Sequence, residues 1–380
     1  MDFRNGPACV SGVRVEGANV KVAVNCNGPA IGDYLADTDV YPVVDAYRDW
    51  AKGQFGAEAA NDVGDILAQY DQCAGNTPVG SVAFGEYVSL GSFTRDRGDW
   101  TERKKAFAPI DSLAALQPKV KGVGAQRRYE RFLCYMRAMR EQTRAVIEMS
   151  RFAQLRDKLA AMPDGAERQR LAREQLLPLH TEAMSAVTAT FEHLMAAVEE
   201  PGMVYQFINY ADLLNAAEVF SVQMQDLLGA PQPEAAVPVA PEDTDRVRAW
   251  AADFNKRDWW TRITVAHPGN DAYRGPARAF VYSPRTLLSD SENLELKVAI
   301  LGVPHPAKAV LKWRPMGQGA YAEMPLSHVC RALYHVSIAP RAIAGRDFEY
   351  YVEVYPKGGP ALRWPVTAPQ MAHTVTVMAP

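Results

Sequence analysis

Carboxylates set among aromatic rings are the materials of a sugar site. The ring faces stack on pyranose rings, and the acids hydrogen-bond hydroxyls or move protons. The segment Asp33-Tyr34-Leu35-Ala36-Asp37-Thr38-Asp39-Val40-Tyr41 has this composition, which makes Tyr34, Asp37, Asp39 and Tyr41 candidate substrate-binding residues. A helix cap by itself also accounts for Asp39, since Pro42 follows and suits a first helical turn. Trp259 and Trp260, next to Lys256-Arg257-Asp258, form a second candidate platform, and such a pair equally suits a seam between domains. Trp364 is a further platform candidate.

Other chemistries find little support. The seven histidines, at 180, 193, 267, 305, 328, 335 and 373, match no HExxH pattern, so no metal site is expected. There is no GxSxG, P-loop or GxGxxG fingerprint, hence no expected cofactor and no assigned catalytic residue. The five cysteines (Cys9, Cys26, Cys73, Cys134 and Cys330) show no CxxC spacing and read as reduced thiols, with Cys134 inside a helix core. With 41 basic and 44 acidic residues, the net charge of −3 supplies no basic field for nucleic acid or an anionic membrane. Arginines 127, 128, 131, 137, 140 and 144 interleave with Glu130, Glu141, Glu148 and Asp157, which predicts a solvated, ion-paired helix face. A neutral or weakly charged partner such as carbohydrate fits this balance better. No run of about 18 apolar residues is present, so no transmembrane helix is expected. The start, Met1-Asp2-Phe3-Arg4, lacks the apolar run of a signal peptide, which implies a cytoplasmic protein if Met1 is the native start and a secreted one if a leading part is missing.

The elements that must position these residues divide the chain. Residues 1–38 read as a short β segment, with Val13, Val15, Val20, Val22 and Val24 alternating around a turn at Gly17-Ala18-Asn19. Residues 39–228 read as an α-helical domain. Val43, Ala46, Tyr47, Trp50, Ala51 and Phe55 fall at helical spacing up to Gly56, and a second helix presents Val63, Ile66, Leu67 and Tyr70. The Gly-rich stretch from Cys73 to Asp99 reads as a long loop. Asp99 and Glu102 have capping-box spacing, and Asp111 is a candidate cap for the helix after it. A long helix from Gln126 to Met162 and a partner carrying Leu171 to Val198 flank the turn Pro163-Asp164-Gly165, which predicts antiparallel packing. Pro178 is expected to kink or split the partner. Residues 229–244 are Pro/Ala-rich and read as a linker. Residues 245–380 read as the sandwich domain: after a short helix around 245–254 the period switches to two, with strands around 278–282, 294–300, 308–313, 332–338, 348–354 and 374–377, as in a seven-stranded sandwich. The expected class is therefore multidomain α+β, a helical domain followed by a fibronectin-III or immunoglobulin-like β-sandwich.

Three segments carry a resemblance. Ala46-Tyr47-Arg48-Asp49-Trp50-Ala51-Lys52-Gly53-Gln54-Phe55-Gly56-Ala57-Glu58-Ala59-Ala60 resembles the helix that follows the catalytic barrel in α-glucuronidase-like and related glycoside hydrolases. Asp111 to Gly122 with Tyr129-Glu130-Arg131-Phe132 and Tyr135-Met136-Arg137-Ala138-Met139 is similar to helical portions of uncharacterised bacterial members. Leu311-Lys312-Trp313-Arg314-Pro315-Met316-Gly317, Phe348-Glu349-Tyr350-Tyr351-Val352-Glu353 and Trp364-Pro365 are similar to their terminal sandwich, a fibronectin-type-III-like appendage. The resemblance implies the rear, non-catalytic part of such an enzyme, which braces or rims a barrel whose carboxylates lie outside this chain. It leaves room for a homo-oligomer or a missing N-terminal catalytic domain. The competing expectation is a stand-alone carbohydrate-binding or scaffolding protein that uses Tyr34, Trp259, Trp260 or Trp364 as platforms.

Overall fold

The computed structural model describes residues 13–16, 19–22, 43–74, 98–198, 201–229, 245, 275–282, 284–303, 305–330, 332–343 and 345–378. These fall into two compact units. One holds most of the helices; the other holds the C-terminal strands, together with residues 122–127 and 195–204. The class is α+β.

Strands β1 (Val13–Glu16) and β2 (Asn19–Val22) pair antiparallel, from Val13↔Val22 to Glu16↔Asn19, as the alternating valines imply. Helices α1 (Val43–Phe55) and α2 (Ala57–Ala74) are separated by Gly56 alone, whose φ of 93° reverses the chain where a side chain would be strained. Folded back, the helices cross so closely that Gly64 lies against the backbone of Arg48. Arg48 then reaches Asp65 at 2.8 Å and Asp45 at 3.1 Å.

Asp99 caps α3 (Trp100–Arg103), accepting from the Thr101 N–H at 2.6 Å. The expected capping box is incomplete, because Glu102 pairs with Lys105 instead. Asp111 is not a cap. It lies inside α4 (Ala108–Ala115), whose start follows Phe107 with Pro109 in the first turn, and its carboxylate receives Arg140 at 3.2 Å.

The long helix is α5 (Val123–Ala160). Beyond the turn come α6 (Ala166–Leu171), a π-helical segment (Ala172–Leu176) and α7 (Leu177–Ala197). Pro178 explains the division. It cannot donate to a carbonyl four residues back, and the wide turn just before it absorbs the mismatch. Arg144 meets Glu182 while Phe152 meets His180, so α7 runs antiparallel to α5. Helix α8 (Pro201–Leu228) runs parallel to α5, since Phe152 stacks on Phe220 and Arg156 reaches Gln223. Their shared core includes Met149, Phe152, Leu176, Val187 and Phe220, all 1% exposed or less. Cys134 is buried in α5, as expected.

Among its described residues the second unit has ten strands, where six are located in the sequence and a seven-stranded sandwich is expected. They are β3 (Arg278–Tyr282), β4 (Leu287–Ser289), β5 (Leu294–Leu301), β6 (Lys308–Pro315), β7 (Ala322–Pro325), β8 (Ser327–Cys330), β9 (Leu333–Ile338), β10 (Phe348–Tyr355), β11 (Leu362–Trp364) and β12 (His373–Met378). The unexpected four, β4, β7, β8 and β11, are three or four residues long, too short to show an alternating period. One sheet has the order β3-β5-β9-β8, and the other β4-β12-β10-β6-β7 with β11 also on β10. Pairing is antiparallel except for β4 with β12. Leu296, Val298 and Val336 from one sheet join Leu311, Phe348, Tyr350, Val352 and Val375 from the other in a single core, which makes the unit a sandwich.

Candidate functional site

Tyr34, Asp37, Asp39, Tyr41, Trp259 and Trp260 lie outside the described residues. Trp364 is described, and one face of its indole is already occupied. It stacks on Tyr350 at 6.1 Å and meets His373 at 5.3 Å, so it belongs to the core edge more than to a free platform. Tyr350 is fully buried, its hydroxyl has no hydrogen-bond partner, and burial pushes the phenol well above its ordinary pKa.

The charged side of α5 is ion-paired, as the sequence implies, but two of its acids are not solvated. Glu141 is 8% exposed and Glu148 5%. The reason is that α5 is buried on nearly every side between Ala138 and Ala153, so its polar positions there are covered as well. Glu141 accepts from Arg140 at 3.1 Å and Arg144 at 3.2 Å, and Arg144 extends to Glu182 on α7. Glu148 is held by Arg151 at 3.0 Å. Burial raises the Glu148 pKa; Arg151 opposes this and Glu182 reinforces it. A carboxyl group raised by burial is the kind used as a general acid. Here it is tied to its own helix by Arg151, and the whole group works as a set of polar struts from α5 to α4 and α7.

A second cluster covers the outer face of the β6–β10 sheet, where the strand period turns Glu349, Tyr351, Glu353 and Tyr355 away from the core. Register places Arg314 opposite Glu349, Lys312 opposite Tyr351 and Lys308 opposite Tyr355. Glu353 is only 2% exposed and collects Lys312 at 2.9 Å, Arg363 at 2.7 Å and the Tyr355 hydroxyl at 2.6 Å. Burial alone would raise its pKa, but these three partners outweigh that and hold it at about 2. Lys312 also contacts Glu323, which pairs with Lys308. The Arg314 guanidinium lies 4.2 Å from the centre of the Tyr321 ring, and Tyr321 meets Tyr351 edge-on at 4.9 Å. By alternation alone, Glu349 and Glu353 read as the wet side of a half-exposed strand. The cue for the cluster is the Lys312-Trp313-Arg314 run of β6 opposite the Glu-x-Tyr-x-Glu pattern of β10, and it needs the register to be read.

Among the described residues no group of three or more His, Cys, Asp or Glu is arranged to hold a metal, and no helix is long and apolar enough to cross a membrane. No protein-family model matches the sequence, and no curated protein matches it either. Solved structures similar to parts of the chain include an endo-beta-1,4-mannanase from Thermotoga petrophila, at 10% identity over 44% of this chain and 36% of that one, with a TM-score of 0.21. Another is an engineered protein, at 11% identity over 44% of this chain and 46% of that one, with a TM-score of 0.22. The match thus spans less than half of either chain. At such scores the association with a glycoside hydrolase is distant and transfers no activity.

Proposed function

We propose that this chain is the non-catalytic, C-terminal portion of a carbohydrate-active, glycoside hydrolase-like enzyme, bracing or rimming a catalytic barrel that lies outside it. The observation that carries this reading is where the three resembling segments fall. The first supplies the α1–α2 corner, where Trp50 and Phe55 pack edge-on at 5.3 Å. Phe55 also meets Tyr129 and Phe132 from the second, at 4.8 and 5.5 Å. The third supplies the β6–β10–β11 ladder and its buried Glu353. The likeness therefore follows residues packed within each unit, as a brace requires. We read the sandwich as immunoglobulin-like, with residues 229–244 as linker. Lettered in chain order, with β11 set aside, its sheets run A-B-E-D and A′-G-F-C-C′, the arrangement of that class.

The test is to assay the purified chain against aryl glycosides and a glycan panel. No turnover by the chain alone is expected. Hydrolysis that disappears with Asp37→Asn or Asp39→Asn would refute the non-catalytic reading. Micromolar glycan binding lost with Trp259→Ala or Trp260→Ala would favour the stand-alone binding protein instead.

A further inference from the structure

Helix α7 carries two histidines, His180 buried and His193 half-buried, and neither contributes to the proposed brace. The His180 Nε2 lies 3.1 Å from the Ser221 Oγ of α8, and its ring meets Phe152 of α5 at 5.6 Å. Ser221 is itself 1% exposed, with its Oγ 3.8 Å from the Met184 sulfur. On α5 the charged side chain near this core, Arg156, is directed to Gln223, Asp157 and the Phe220 ring. Burial governs the imidazole, and among the described residues no charged side chain on α5, α7 or α8 contributes. His193 is likewise disfavoured from charging by burial and by Arg137 and Arg140 of α5, which outweigh Glu141 and Glu192.

We propose that α7 is an acid-sensitive strut: charging His180 places a net charge and a second N–H in the apolar core beside Phe152 and loosens the helical unit at mildly acidic pH. An imidazolium has two N–H donors and needs water or a counter-charge, and a core of Phe152, Met184 and Phe220 offers neither. The sign follows from linkage. The folded-state pKa is lowered from 6.5 to about 4, so above 6.5 both folded and unfolded chains are neutral and the contact is fully stabilising. As pH falls from 6.5 toward 4, the unfolded chain takes up a proton that the folded one refuses, and stability drops. Between pH 7 and pH 5 this one group shifts the unfolding equilibrium about 20-fold.

The experiment is urea unfolding of the full chain, followed by helical circular dichroism at pH 7 and pH 5. The wild type is compared with the double variant His180→Leu/Ser221→Ala, which replaces the pair with apolar groups. The wild-type unfolding constant should rise about 20-fold more than the variant's on acidification. An equal rise in both overturns the proposal. Should the variant fail to fold, histidine NMR of the wild type decides. The assigned His180 imidazole is expected to stay neutral to pH 5, and if it titrates near the ordinary value of 6.5 the proposal is wrong.

Discussion

Replacing Gly64 with alanine adds a single methyl group at the crossing of α1 and α2. That methyl would lie 2.5 Å from Arg48 Cγ, 2.6 Å from its N and 2.7 Å from its Cα. Carbon contacts settle at about 3.5–4.0 Å, so the helices must separate by roughly 1 Å. The Cγ could swing away, but the backbone atoms can move only with α1 itself. Alanine gains about 1 kcal/mol of helix propensity over glycine. Overpacking costs about 1–3 kcal/mol, and a clash with backbone belongs at or beyond the top of that range. Shifting α1 also strains the bonds from Arg48 to Asp65 and Asp45. The net expectation is a loss of about 2 kcal/mol. Gly53 is the control: it lies inside the other helix of the pair, α1, and nothing lies within 4 Å of its would-be methyl. Gly53→Ala should stabilise by about 0.5–1 kcal/mol. Urea unfolding of the full chain by circular dichroism measures both. If Gly64→Ala stabilises as Gly53→Ala does, the close crossing is wrong.

Two further substitutions probe the sandwich. Glu353→Gln leaves Lys312 and Arg363 facing a neutral amide and should cost about 3 kcal/mol, read from the sandwich transition in urea. In the wild type the Glu353 pKa is depressed from 4.5 to about 2, so its contribution is complete above 4.5 and is lost as pH falls toward 2. The variant should lack that part of the acid sensitivity, worth about 3 kcal/mol. Tyr350→Phe removes a buried hydroxyl with no partner, so thermal unfolding should show no loss, or a gain of up to about 1 kcal/mol. A loss above about 2 kcal/mol would mean the hydroxyl is bonded after all.

The difference between what was legible in the sequence and what was not has a physical basis in the reach of each signal. A helix announces itself through side chains three and four residues apart, so α1, α2, α5 and α7 are readable locally, as is the break at Pro178. The same local rule assumes one wet side. It fails for Glu141 and Glu148, because whether a charged face meets solvent depends on how many helices surround it. Strands of five or more residues show their alternation, whereas β4, β7, β8 and β11 exist by pairing with partners elsewhere in the sequence. Glu353 is the sharpest case. Its strand position puts it on the outward face, yet Lys312, Arg363 and Tyr355, from three strands and joined only by register, bury it. The same logic bears on function. A charged residue placed for chemistry and one placed as a strut look alike in sequence, and only the partners tell them apart. For Glu141 and Glu353 the partners are cations from neighbouring turns and strands, held within 3.2 Å, and such carboxylates fix geometry instead of moving protons.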